Sequence, residues 1–127
     1  MKKNHIKLND NEIDISKSDP NSSLLDWIRL EKQLHGTKEG CAEGDCGACS
    51  ILLSPVNGGK LRPANSCLLK LGQVVGSSVY TVEGLGSKKR PSPIQKSLTK
   101  YGGSQCGFCT PGFVIAITSL LNHCLLY

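Results

Sequence analysis

Three cysteines fall within nine residues, Cys41-Ala42-Glu43-Gly44-Asp45-Cys46-Gly47-Ala48-Cys49, and seventeen residues separate them from a fourth, Cys67. A stretch so dense in cysteine and glycine cannot run far as helix or strand, so the segment from Gly36 to Ser50 must be a loop. Four thiols can be gathered only if the elements on either side bring residue 67 back to residues 41–49. Whatever this chain folds into has to present that loop.

The spacing C-x4-C-x2-C with a distant fourth cysteine is the plant-type arrangement for a 2Fe-2S cluster held by four thiolates. Cys41, Cys46, Cys49 and Cys67 are therefore the candidate ligands. Gly44 and Gly47 suit the loop because they accept positive φ and let backbone N–H groups approach the sulfurs, which helps set the reduction potential. Glu39, Glu43 and Asp45 add negative charge to the same segment. A structural zinc site is the competing reading. Zinc sites usually pair two C-x2-4-C knuckles, whereas here three ligands share one loop and the fourth stands alone.

A chain of 127 residues makes one ordinary domain or two small ones. The longest uncharged apolar stretch, Phe113 to Leu121, is far shorter than the roughly 20 residues of a bilayer span. Lys2 and Lys3 are not followed by an apolar core or cleavage site of a secretory signal. Those features place the chain in the cytoplasm, where clustered cysteines point to metal or redox chemistry rather than disulfides. The net charge of +5 is spread along the chain apart from Lys2-Lys3 and Lys88-Lys89-Arg90. No aromatic-interleaved basic element accompanies either run, so nucleic acid is not the expected partner, and neither is a membrane.

The periodicity before and after the loop predicts an α+β unit. Ile6 and Leu8, then Ile13 and Ile15, alternate on either side of Asn9-Asp10-Asn11 and read as a hairpin. Ser23 and Asp26 are spaced like a capping box for a helix carrying Leu24, Leu25, Ile28 and Leu34, with Gly36 as its C-terminal cap. Ile51-Leu52-Leu53 and Val79-Tyr80-Thr81-Val82 read as strands, with turn chemistry at Pro55 to Gly59. One helix on a mixed sheet is the expected result. Residues 1–85 form this first domain, and residues 86–93, rich in Gly, Ser, Lys and Pro, form a linker. Residues 94–127 form a helical second domain, incomplete in this chain. Its first helix is opened by Ser92 and Pro93 and runs to about Tyr101. Its second starts at Pro111 and is apolar on more than half its circumference, with few partners in this chain to cover it.

A second cysteine group, Gln105-Cys106-Gly107-Phe108-Cys109-Thr110-Pro111-Gly112, stands at the start of that helix. Alone, C-G-F-C before a helix reads either as a thioredoxin-like redox pair or as two of four ligands for another cluster. No βαβ pattern precedes it, which speaks against the thioredoxin reading. Cys124 lies about 20 Å along the helix at 1.5 Å per residue and cannot close such a cluster; it reads as a small buried apolar residue. His5, His35 and His123 have no ligand or general-base partner at a recognisable spacing and read as surface or cap residues. Trp27 reads as core or an interface anchor. No phosphate loop or dinucleotide fingerprint occurs, and no residue is a candidate for catalysis.

At these blocks the chain resembles the iron–sulfur part of the molybdenum hydroxylases, most closely bacterial xanthine dehydrogenase. The resemblance runs from about Leu24 to about Asn122. It rests on Gly36-Thr37-Lys38-Glu39-Gly40-Cys41, Glu43-Gly44-Asp45-Cys46-Gly47-Ala48-Cys49, Asn65-Ser66-Cys67, Thr81-Val82-Glu83-Gly84-Leu85 and Gly103-Ser104-Gln105-Cys106-Gly107-Phe108-Cys109-Thr110-Pro111-Gly112, in that order. Ser92-Pro93-Ile94-Gln95 stands where the family commonly has His-Pro-Val-Gln. The resemblance implies a β-grasp ferredoxin-like domain and a helical domain, each with a 2Fe-2S cluster. Cys41, Cys46, Cys49 and Cys67 would hold the first, and Cys106 and Cys109 half of the second, nearer molybdenum. Gln105 matches a glutamine beside the pterin.

Electrons would pass from a molybdopterin centre on a large subunit, through the clusters, to FAD and NAD on another domain or subunit. The segment from Pro55 to Pro63 favours xanthine dehydrogenase over the iron–sulfur subunits of carbon monoxide dehydrogenase or aldehyde oxidoreductases. The family completes its second cluster with a C-R-C motif that this sequence does not reach before Tyr127. By that comparison the chain is a fragment, a truncated product or one piece of a split gene. The alternatives are a non-functional remnant whose face around Phe113, Val114, Ile117 and Leu121 recruits a partner or aggregates, and a zinc-bound interaction module.

Overall fold

The computed structural model describes residues 3–56 and 58–124. Five strands form one mixed sheet: β1 (His5–Leu8), β2 (Asn11–Asp14), β3 (Ser50–Ser54), β4 (Arg62–Asn65) and β5 (Ser78–Tyr80), in the order β2-β1-β5-β3-β4. The expected hairpin is present, with Ile6 opposite Ile13. Its turn places Asn9 at φ 47° and Asp10 at φ 68°, the left-handed pair that two-residue hairpins require and that Asn and Asp tolerate best. β1 runs parallel to β5, Lys7 against Ser78, while β3 is antiparallel to both its neighbours.

Alternation decides which face of the sheet is buried where. Ile6, Leu8, Ile51 and Val79 enter a core with Leu24, Trp27, Ile28, Leu71 and Val74, and Leu53 packs against it. The helical stretch supplying that core differs from expectation. It is one α-helical turn, α1 (Leu24–Asp26), that widens into a π-helical turn over Trp27–Glu31. Ser23 caps it, its hydroxyl accepting from the Asp26 amide at 3.0 Å. The stop is Gln33, at φ 56° with its side-chain amide donating to the Leu30 carbonyl, and not Gly36. Gly36 instead donates its N–H to the Glu83 carboxylate at 2.7 Å. Trp27 is core as expected, 1% exposed, with its indole N–H donating to the Ser18 hydroxyl.

Two further departures concern strands. β4 contains Pro63, which argues against a strand inside a sheet, but β4 is an edge strand paired only with β3, where a missing N–H is tolerated. β5 ends at Tyr80, and Val82–Gly84 form a 3-10 turn rather than continuing the strand. The reason is Asn9. Its side chain accepts from the Thr81 amide and donates to the Thr81 hydroxyl, both at 2.9 Å, and so bends the chain away.

Beyond the sheet lie α2 (Pro93–Lys100) and α3 (Thr110–Cys124). Ser92 and Gln95 form a reciprocal capping box at the start of α2. α3 is better supplied with partners than its sequence suggests: it packs on β3, β4 and α2, and Val114 and Ile115 are buried. Leu52, alternating with Ile51 and Leu53, is also fully buried. Phe113, Leu120 and Leu121 remain exposed. His123 bonds the Leu61 carbonyl and so ties the end of α3 to the approach to β4, a structural part the sequence reading did not give it. His35 is exposed, its ring against the Gln33 side chain, and His5 is a half-buried strand residue. The expected burial of Cys124 concerns a side chain outside the described ones. No described helix is long and apolar enough to cross a membrane.

Candidate iron–sulfur site

The loop between the π-helical turn and β3 wraps its backbone around sulfur. The amides of Glu43, Asp45 and Cys46 point at Cys41 Sγ at 3.3–3.4 Å, and those of Cys41 and Ala48 point at Cys46 Sγ at 3.4 Å. Such convergence needs left-handed residues, and they stand at Ala42 (φ 55°), Gly44 (φ 86°) and Gly47 (φ 70°). Only the two glycines were legible as such in the sequence. Donors so aimed favour negative charge on sulfur. The N–H groups of Glu43 and then Cys46, with that of Asp45, pull the Cys41 thiol down to about 7.

Cys67 is brought to the loop by the turn after β4. Ser66 anchors this turn: its hydroxyl donates to the Cys49 carbonyl at 2.7 Å and its amide to the same oxygen. Asn65 donates its side-chain amide to the Gly44 carbonyl at 3.0 Å. Spacing alone assigned these two residues no role. Burial, followed by the hydrogen bond and charge of the adjacent Cys49 sulfur, pushes the Cys67 thiol up to about 11, while the Gly44 N–H opposes this. Cys41 also acts on Cys67. The sulfurs pair within this site, Cys41 with Cys46 and Cys67 with Cys49, and the charge of Cys41 is felt at Cys67. Among the described residues no three ligand-type side chains converge on a point fit for a single metal ion.

Backbone donors aimed at Cys41 and Cys46, with Cys49 and Cys67 paired beside them, suit an anionic, thiolate-bound group. Gly44 contributes an N–H toward Cys67, whereas Gly47 contributes its carbonyl, which the Ser50 amide and hydroxyl hold at 3.1 and 2.7 Å. Glu39, Glu43 and Asp45 are all exposed.

Cys106 and Cys109 are exposed on the loop leading into α3, as is Gln105. Gly107 takes φ 85° between the two cysteines. Cys109 and Cys46 line one cavity of about 230 Å³ with Gly47, Gly112 and Phe113. The chain fold therefore places the second cysteine group against the first.

Residues 81–124 match the family model described as 2Fe-2S binding domain. Xanthine dehydrogenase of Blastobotrys adeninivorans is 44% identical over 113 residues, 86% of this chain. Aldehyde oxidase 1 of Bos taurus is 47% identical over 111 residues, 83% of this chain. Quinoline 2-oxidoreductase from Pseudomonas putida 86 superposes with a TM-score of 0.77 at 32% identity, over 94% of this chain and 70% of that one. The chain belongs to the iron–sulfur part of the xanthine dehydrogenase and aldehyde oxidase family. This iron–sulfur chain spans 8% of the length of those two curated relatives. Xanthine dehydrogenase and aldehyde oxidase match it at nearly equal identity. As a family member it carries a 2Fe-2S binding domain and matches the mixed-sheet and helix architecture of its relatives.

Proposed function

We propose that this chain is an electron-transfer module of a molybdenum hydroxylase, in which Cys41, Cys46, Cys49 and Cys67 hold one 2Fe-2S cluster and Cys106 and Cys109 contribute to a second. A bound cluster supplies one-electron chemistry, while the protein fixes its position and tunes its potential. The amides of residues 41–48 would hold the ligand sulfurs as thiolates, the Ser66 anchor would present Cys67, and exposed Glu43 and Asp45 would lower the potential. Electrons would enter from a molybdopterin-binding subunit, near Gln105, and leave toward an FAD-binding domain or subunit and NAD. Residues 1–85 would act as the ferredoxin-like domain, residues 86–93 as linker and residues 94–127 as part of the helical domain. The parallel β1–β5 pair and the helix packed on the mixed sheet support a β-grasp assignment for the first. A cytoplasmic location accords with thiols kept reduced.

The observation that carries this reading is the set of five backbone amides aimed at Cys41 and Cys46 Sγ, with Cys67 and Cys49 adjoining. Iron, zinc and acid-labile sulfide measured on chain purified without oxygen test it. About two irons and two sulfides for the first site, with a visible spectrum that bleaches on reduction, are expected; values approaching four would mean that the second site also fills. Zinc in place of iron, or no metal at all, would overturn the reading.

A further inference from the structure

The second cysteine loop lies directly on the first. A Cβ on Gly112, in the first turn of α3, would stand 2.7 Å from the Gly47 carbonyl oxygen and 3.8 Å from Ala48 Cα. Those are backbone atoms, and they cannot rotate aside. The Gly47 carbonyl is in addition held by two hydrogen bonds from Ser50. So the start of α3 has a rigid seat that only glycine fits. From the same stretch the Phe108 ring reaches across to Gly40, where a Cβ would be 3.7 Å from Phe108 Cε1 and 2.7 Å from Cys46 Sγ. Phe108 is 46% exposed and Cys46 is itself exposed, so the ring covers one edge of the cysteine loop, beside Gly40, and leaves the rest open.

We propose that Phe108, held by the Gly112–Gly47 seat, roofs the Cys46 side of the first cysteine site and limits the access of water and solutes to the cluster bound there. This rests on the reading that Cys41, Cys46, Cys49 and Cys67 hold a 2Fe-2S cluster. Phe108 is a positioning residue, not a ligand. Solvent exposure is one determinant of an iron–sulfur potential. Reduction adds negative charge to a thiolate-bound cluster, and water stabilises that charge, so removing the ring raises the potential. The same opening admits a chelator to the iron.

The test uses the full chain, reconstituted without oxygen, with iron content, potential and the rate of iron loss to a soluble chelator as readouts. Phe108→Ala is expected to lose iron severalfold faster and to shift the potential upward, and Phe108→Leu to recover most of both. Tyr101→Ala, removing an aromatic that is 76% exposed on the α2 side, leaves both unchanged. Gly112→Val, provided its circular dichroism matches the parent, behaves like Phe108→Ala because the seat is lifted. A Phe108→Ala chain with full iron, the parental chelation rate and the parental potential overturns the roof alone. A parent chain that takes up no iron overturns the cluster reading and the roof with it.

Discussion

Cys41 and Cys67 sit at opposite ends of one electrostatic range, about 7 and about 11, because the first faces amides and the second faces burial and another sulfur. Metal binding has to deprotonate both, so the two cysteines are not equivalent ligands. Either Cys46→Ser or Cys67→Ser is expected to remove most of the iron at the first site. Cys124→Ser should change neither iron content nor spectrum, since α3 is continuous from Thr110 to Cys124 and holds that residue about 20 Å from Cys109; metal analysis of the three variants checks this. A second residue-scale expectation concerns Tyr80, whose hydroxyl donates to Asp10 at 2.7 Å. That bond first, and burial second, push its pKa upward. A raised folded pKa gives stability that is fully present below the unfolded value near 10 and is lost as pH rises through the folded one. At neutral pH Tyr80→Phe should cost less than about 1 kcal/mol in urea unfolding, because the pair is partly exposed. The difference from the parent should shrink in alkali. Cysteine spacing made the ligand residues legible, but not the amides that surround them, because any residue type carries an N–H and only the fold aims it.

At the scale of elements, the sequence disclosed those whose period or caps are local. The β1–β2 hairpin follows from alternation plus Asn9-Asp10, and α2 from Ser92, Pro93 and Gln95. The elements it concealed depend on distant partners. β4 exists because β3 offers it an edge that tolerates Pro63, and β5 stops at Tyr80 because Asn9, 72 positions away, binds Thr81. The π-helical widening at Trp27–Glu31 leaves the apolar spacing of Leu24, Leu25 and Ile28 readable as ordinary helix. Gln33 then ends the run in a left-handed conformation that composition would assign to Gly36. Ser92→Ala removes one half of the α2 capping box and is expected to destabilise that helix by about 1 kcal/mol, seen as faster hydrogen exchange over residues 93–100 with the sheet unaffected.

For the molecule as a whole, α3 joins what the composition divides. The Gly, Ser, Lys and Pro of residues 86–93 mark a boundary in sequence, yet α3 returns to pack on β3 and β4. Ile115 is fully buried there. Ile115→Ala should therefore cost about 2–5 kcal/mol and lower the midpoint of a single unfolding transition followed on both the sheet and the helices. Trypsin, for its part, should nick the exposed Lys88-Lys89-Arg90 run first, with residues after the nick staying attached through α3 under native conditions. The parallel pairing of Lys7 with Ser78 has a consequence for biosynthesis. The hairpin leaves the ribosome first, but its neighbour in the sheet is some seventy residues behind it, and at cellular rates of elongation that interval is on the order of ten seconds. Through it the edge of β1 stays open, and long-range pairing of this sort closes slowly even afterwards. Cys41, Cys46, Cys49 and Cys67 are all translated within that interval, so the nascent chain displays every thiol of the first site before the sheet that organises them can form.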